Sequence, residues 1–280
     1  MTHSIRLLFI LHILALKLLA DPILSSWFTE HSGQYARIYE TSADESALNP
    51  VTTWSHPNNG SGQALPTYAG VHEIAYTDTN VYIRTSGLGF HVMGPWYLDE
   101  ERTNLFPNYP SNTSTIFRFP RVPGTPPISK TATGNGTIGY FVDGIGMFDS
   151  RDAFSYSNAN EGDARPNSDF TGDGIWNRDA YINESVTFDS AHAHQAGINH
   201  HYHANPPALR HLIGDSVDYD ASTNTYTENF NGQHSPIMGW VRDGYPIYGP
   251  YGYDDPDDTY STVRRMITGY TTRDGSNGTT

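Results

Sequence analysis

The chain reads as an all-β protein, a single β-sandwich-like domain with long irregular loops and hairpins, and three observations predict it. Apolar runs beyond residue 20 are short, rich in β-branched and aromatic residues, and bounded by Gly, Pro or Asn. No stretch there carries the periodicity of a long amphipathic helix. Asp-Gly pairs stand between apolar runs, where a tight turn needs residues that tolerate positive φ.

Residues 1–20 are set apart from this domain as an export signal. Arg6 precedes a run from Leu7 to Ala20 that is apolar except for His12 and Lys17, and small Ala20 ends it. The run is shorter than the roughly 20 residues that cross a bilayer. A cleaved chain starting near Asp21, secreted or periplasmic and without a membrane span, is therefore expected; an uncut anchor is the alternative. Without Arg6 and Lys17, 14 basic residues stand against 30 acidic ones, a net charge near −16. Such a surface repels nucleic acid and attracts cations. There is no cysteine, which excludes disulfides, thiolate metal sites and cysteine nucleophiles. Long loops must then be held by packing, hydrogen bonds or an ion.

The strand candidates, in order, are Val71 to Arg84, Ser114 to Phe119, Ile138 to Phe148 and Ile237 to Tyr248. Leu98 to Pro127 carries six prolines and reads as a long ordered loop or a seam, and Asn158 to Gly174 as a polar loop. The Asp/Gly-rich Thr171 to Asp179 lacks the regular ligand spacing of a calcium loop and reads as a turn. Gly139-Tyr-Phe-Val-Asp-Gly-Ile-Gly-Met-Phe148 lines up with Gly239-Trp-Val-Arg-Asp-Gly-Tyr-Pro-Ile-Tyr248 at a constant offset of 100. Two hairpins are expected, related by pseudo-symmetry or alike by chance.

Histidine is distributed unevenly. Six of the 11 histidines after residue 20 fall between His192 and His211, in the run AHAHQAGINHHYHANPPALRH. Side chains alternate faces along a strand, so His192 shares a face with His194, and His201 with His203. A hairpin turning around Ala196 to Asn199 would set His194 opposite His201 and His192 opposite His203. Opposed Cβ atoms stand roughly 4.5 to 5.5 Å apart, near enough for several ring nitrogens to reach one ion at about 2 Å. Imidazole ligands without thiols, outside the reducing cytoplasm, point to Cu or Zn. His234, ahead of the second Asp-Gly hairpin, is the further ligand expected. Asp189, His211 and Asp215 are candidates to support or replace these ligands but read rather as surface groups or caps, and Tyr202 as pointing to the opposite face. A hydrogen-bonded histidine cluster without an ion is the plainer alternative.

His201-Tyr-His-Ala204, Pro206-Pro-Ala-Leu209, the segment from His234 to Gly252, Gly139 to Gly144 with Asp152 to Tyr156, and Trp176 to Ala180 with Phe188-Asp189 together resemble the YHYH domain family. The resemblance covers 138–253, between an N-terminal β-rich part over 21–137 and a C-terminal tail over 254–280. It implies an extracytoplasmic domain and brings no settled reaction. The family's first tyrosine is replaced here by His200, which points away from His201 and faces solvent or joins a neighbouring site.

Two functions follow. The first is a metal-binding protein using His192, His194, His201, His203 and His234, as an oxidoreductase or hydrolase if a coordination position stays open. The second is an adhesive, carbohydrate-binding or self-assembling glycoprotein. For that reading the sequons at Asn59, Asn112, Asn135, Asn183 and Asn277 and the aromatics Tyr245, Tyr248, Tyr251 and Tyr253 form the working surface.

Overall fold

The computed structural model describes residues 21–129, 136–149, 151–164 and 177–269. The segment expected to be an export signal, Asn135, Asn277, most of Thr171 to Asp179 and the end of the tail lie outside the described residues. The chain is all-β, and among the described residues the longest helix is Pro207–Leu212, of 6 residues. No described helix is long and apolar enough to cross a membrane.

The first expected segment becomes a hairpin of β1 (Val71–Tyr76) and β2 (Asn80–Thr85), and β3 (Thr115–Pro120) pairs with β2. Along β2 the burial alternates strictly, with Val81, Ile83 and Thr85 inside. This is the period-2 signature of a half-buried strand.

The second sheet is six-stranded. It contains β4 (Thr137–Phe141), β5 (Gly146–Phe148), β6 (Ala193–Ala196), β7 (Asn199–Tyr202), β8 (Ile237–Val241) and β9 (Pro246–Tyr248), in the order β6-β7-β5-β4-β8-β9. Its pairs are antiparallel except β7 with β5, where His201 sits beside Gly146 and Tyr202 beside Met147. Val81, Ile83 and Phe119 of the first sheet share one core with Tyr140, Phe141, Ala193, Tyr202, Met238 and Trp240 of the second. The two sheets therefore face each other as in a sandwich. Ile23 and Trp27 close the same core. A second core, with Ile38, Trp54, Leu88, Met93, Trp96 and Tyr109, packs the segment before β1 against the long connection between β2 and β3.

The offset of 100 is a structural symmetry. β4 pairs with β8 as Gly139↔Val241, Tyr140↔Trp240 and Phe141↔Gly239, so a pseudo-two-fold axis passes through the Tyr140–Trp240 pair. Each hairpin has the same register and the same irregularity, between Thr137 and Gly139 in one and Ile237 and Gly239 in the other. Their turns match as well: Gly144 N donates to Phe141 O at 2.9 Å, and Gly244 N to Val241 O at 2.8 Å. Gly144 is irreplaceable where it stands. Its φ is +84° and a Cβ there would lie 2.3 Å from Thr85 Oγ1, the hydroxyl that donates to Gly144 O across the sheets at 2.8 Å.

Candidate metal centre

The histidine hairpin turns more tightly than the sequence suggests. Ala196 pairs with Asn199, leaving Gly197 and Ile198 as a two-residue turn with Gly197 at φ +61°. The register sets His194 opposite His201. His203 follows β7 and holds the same face, its N–H bonded to His192 O at 2.9 Å. Three rings converge there: His203 Nε2 stands 3.1 Å from His194 Nε2 and 3.1 Å from His201 Nε2. All three are buried. Phe188 lies against His203 and His194, Phe106 against His194, and Phe148 stacks on His201 at 4.0 Å.

The hydrogen bonds around the trio fix where its lone pairs point. Thr187 Oγ1 donates to the Glu184 carbonyl at 2.6 Å and so must accept from His194 Nδ1, 2.7 Å away. His201 Nδ1 lies 3.2 Å from the Asn199 carbonyl, which can only accept. Both rings therefore carry their proton on Nδ1 and turn a bare Nε2 toward His203. A single proton on His203 Nε2 can serve one of these lone pairs, not both. Burial, then the neighbouring His194, push His203 down to about 4, and the same causes hold His201 well below the ordinary imidazole range. His203 and His201 are thus neutral near pH 7, the form in which imidazole binds metal.

The spacing fits an ion. Two nitrogens about 2.0–2.1 Å from one metal at the tetrahedral angle stand about 3.3–3.4 Å apart, close to the 3.1 Å seen. Across from the rings, Glu184 Oε2 lies 3.4 Å from both His194 Nε2 and His203 Nε2. Glu184 ends the short helix Ala180–Glu184, capped by Asp179. Nothing in the sequence near Glu184 marks it, because the helix is brought over the sheet by packing.

The other expected ligands stand elsewhere. His192 has φ +59°, which breaks the strand alternation and turns its ring toward Tyr181, with Nδ1 3.5 Å from the Tyr181 hydroxyl. His234 precedes β8, which lies three strands from β7, about 14 Å at the usual strand spacing. Its ring packs on Tyr248 and Tyr253, and Nδ1 lies 2.7 Å from Ser235 O. Asp215 pairs with buried Arg210 at 2.6 Å, so it is interior rather than a surface cap; exposed His211 bonds Val217 O.

Asp189 corrects its expectation more strongly. It is fully interior, and its carboxylate accepts from Gly94 N at 2.9 Å, Ala191 N at 2.9 Å and Ala193 N at 3.2 Å. Burial alone pushes it up, but the neighbouring imidazoles of His91 and then His200, with the backbone N–H of Gly94, outweigh that and hold it below the usual carboxylate range. Tyr202 does point away from the trio: its hydroxyl donates to Asp143 at 2.8 Å and meets His91 Nδ1 at 3.1 Å.

Among the sequons, Asn59 and Asn183 are exposed, whereas Asn112 is half-buried and its amide donates to Thr67 at 3.1 Å. The four tyrosines divide. Tyr245 and Tyr248 are exposed, Tyr253 is half-buried, and Tyr251 is buried against Phe230.

No curated protein matches the chain, and no solved structure does. The family described as "YHYH protein" matches residues 116–280, a wider span than the quoted motifs and more than half of the sequence, so the chain belongs to the YHYH family.

Proposed function

We propose that this is an exported protein that binds one Cu or Zn ion through the Nε2 atoms of His194, His201 and His203. The observation that carries the reading is the convergence of three buried ring nitrogens at 3.1 Å, two of them turned inward as lone pairs by Thr187 and Asn199. Buried acceptors without a donor are costly, and one cation satisfies all three. The choice of Cu or Zn follows from the all-imidazole donor set and the export signal. The acidic net charge of the chain concentrates cations around it.

A metal held by three imidazoles supplies Lewis acidity at its remaining position. Glu184 lies 3.4 Å from two of the rings, where its carboxylate would either serve as a further ligand or accept a proton from a water. The second role makes the protein a metal-dependent hydrolase, and substitution of Glu184 separates the two. Glu184→Gln that keeps the metal but loses turnover identifies a base; loss of the metal identifies a ligand. An oxidoreductase built on copper is the other chemistry open to a three-imidazole site, and the metal found decides between them.

The test is elemental analysis of the protein secreted from the full-length sequence without a histidine tag, beside His201→Ala/His203→Ala. Stoichiometric copper or zinc in the parent that is lost in the double variant supports the reading. Parent protein without metal, even after dialysis against both ions, overturns it and returns the weight to an adhesive or assembling glycoprotein. Recovery of the mature chain from the culture medium, beginning near Asp21, tests export.

A further inference from the structure

We propose that His91, His200 and Asp189 form a second metal site, on the opposite side of β7 from the trio, taking a divalent transition-metal ion of the zinc type and retaining it as a structural ion. The three residues come from separate places: His91 from the loop before Val92–Met93, Asp189 from the turn ahead of β6, and His200 from β7. One ligand atom from each lies within 4.8 Å of the others. No single segment of the sequence announces the group.

The site holds unsatisfied nitrogens. Both ring nitrogens of His200 and Nε2 of His91 are buried with no hydrogen-bond partner, and His200 is only 2 % exposed. The His194 carbonyl lies near His200 without reaching hydrogen-bond geometry. Tyr202 Oη gives its proton to Asp143, so it accepts from His91 Nδ1. His91 Nε2 is then a bare lone pair on the side of Asp189. The Asp189 oxygen nearest to it is 3.8 Å away, too far for a hydrogen bond. It lies within the range that two ligands about 2.0–2.2 Å from one ion span between tetrahedral and wider angles.

Charge and rigidity fit the same ion. Asp189 is fixed by three backbone N–H groups, two on Oδ1 and one on Oδ2, which leaves a lone pair on Oδ2 for a cation. Trp96 covers His200 with ring centroids 5.7 Å apart, and its Nε1 donates to Ala193 O at 2.9 Å, pinning β6. A Cβ on Gly89 would lie 2.7 Å from the His91 ring, so glycine there is what lets the imidazole lie inside. Two imidazoles and a carboxylate suit zinc, and the enclosure of the site makes it a staple in a chain that has no disulfides. His200 is also the departure from the Tyr-His-Tyr-His motif, so the ligand distinguishes this chain from one that carries the motif intact.

The experiment counts zinc per polypeptide in full-length protein secreted from zinc-supplied cells, beside His203→Ala, His200→Tyr and His91→Gln. About two zinc in the parent and about one in each variant is the expected pattern. One zinc in the parent, lost in His203→Ala and kept in His200→Tyr, overturns the second site and leaves the trio intact. One zinc lost in His200→Tyr and kept in His203→Ala supports the second site and leaves copper as the ion to be sought at the trio. Two zinc in the parent and still two in folded His200→Tyr overturns the proposal as well. His91→Gln decides if His200→Tyr does not fold, and a parent with no zinc overturns the second site without any variant.

Discussion

On the odd-numbered face of β7, His201 and His203 meet His194 nitrogen to nitrogen, with aromatic rings behind and the Glu184 carboxylate in front. On the even-numbered face, one residue away along the same strand, His200 and Tyr202 look into a polar interior of His91, Asp143 and Asp189 under Trp96. The strand supplies alternation to both faces alike. What differs is how each environment spends its hydrogen bonds. On the odd face, neutral acceptors orient two rings and leave nitrogens converging; on the even face, backbone N–H groups fix a carboxylate and leave nitrogens orphaned. Surroundings thus decide the chemistry that one repeated residue type performs.

The largest expected effect tests the even face. Asp189→Ala removes the acceptor of three buried N–H groups from two distant segments, and so unpins the loop at Gly94 from the turn before β6. The expected loss is about 3–5 kcal/mol, read from the urea midpoint of metal-free protein. His194→Ala, on the odd face, removes one ring of a cluster strained by lone-pair repulsion, and is expected to cost less. Equal losses would mean that the two faces do not differ as described.

Acid separates the faces next. His203 is pushed down to about 4 and His200, by burial foremost, to about 3. Unfolded imidazole takes its proton near 6.5. The unfolded chain therefore binds more protons than the fold below about pH 6.5, and stability present above that pH falls as pH drops through 4 toward 3. Asp189, held low, adds to the loss, whereas Asp143, pushed up by burial, opposes it. Glu184 faces His203 and His194 and tempers the odd face. Urea unfolding of metal-free protein at several pH values is expected to show this decline, steeper in the parent than in His200→Tyr. A stability that stays flat from pH 6.5 to 4 contradicts it.

Much of this is legible in the sequence. Alternation and Asp-Gly turns predict the hairpins, and the constant offset of 100 predicts that they are alike because a turn and its flanking strands are local; that they pair about one axis is a long-range fact which the offset leaves open. The opposition of His194 and His201 was equally local. His192 was misplaced because its positive φ is set by the turn from Asp189, which period-2 reasoning does not see. His234 was misplaced because adjacency to a hairpin in sequence says nothing of strand order in the sheet. Glu184 and His91 were invisible because they reach the sites only by packing of segments far apart in sequence. Asp189 reads from the sequence as a surface cap, since a short turn acid carries no mark of its burial.

The two symmetric hairpins offer a smaller test with its own control. Asp143 and Asp243 occupy equivalent turn positions, yet Asp143 is buried and accepts from Tyr202 while Asp243 is exposed. Asp143→Ala leaves Tyr202 Oη without its acceptor beside His91, and is expected to cost about 1–3 kcal/mol. Asp243→Ala is expected to cost less than about 0.5 kcal/mol. Thermal unfolding of the pair measures the difference, and matching values would mean that the turn rather than its surroundings sets the role of the aspartate.

The smallest effect is expected at the two histidines that stand apart. His234→Ala removes a ring from between Tyr248 and Tyr253 and no nitrogen from either face, so metal content is expected to match the parent. His192→Gly is the sharper variant. At φ +59° glycine is unstrained where histidine is not, so relief of backbone strain offsets the lost contact with Tyr181 and the added freedom of the unfolded chain. Stability is expected to change by less than about 1 kcal/mol, with metal content unaltered. If His192→Gly instead loses metal while folding normally, its ring must swing round to the trio on binding, and the odd face would hold four histidines rather than three.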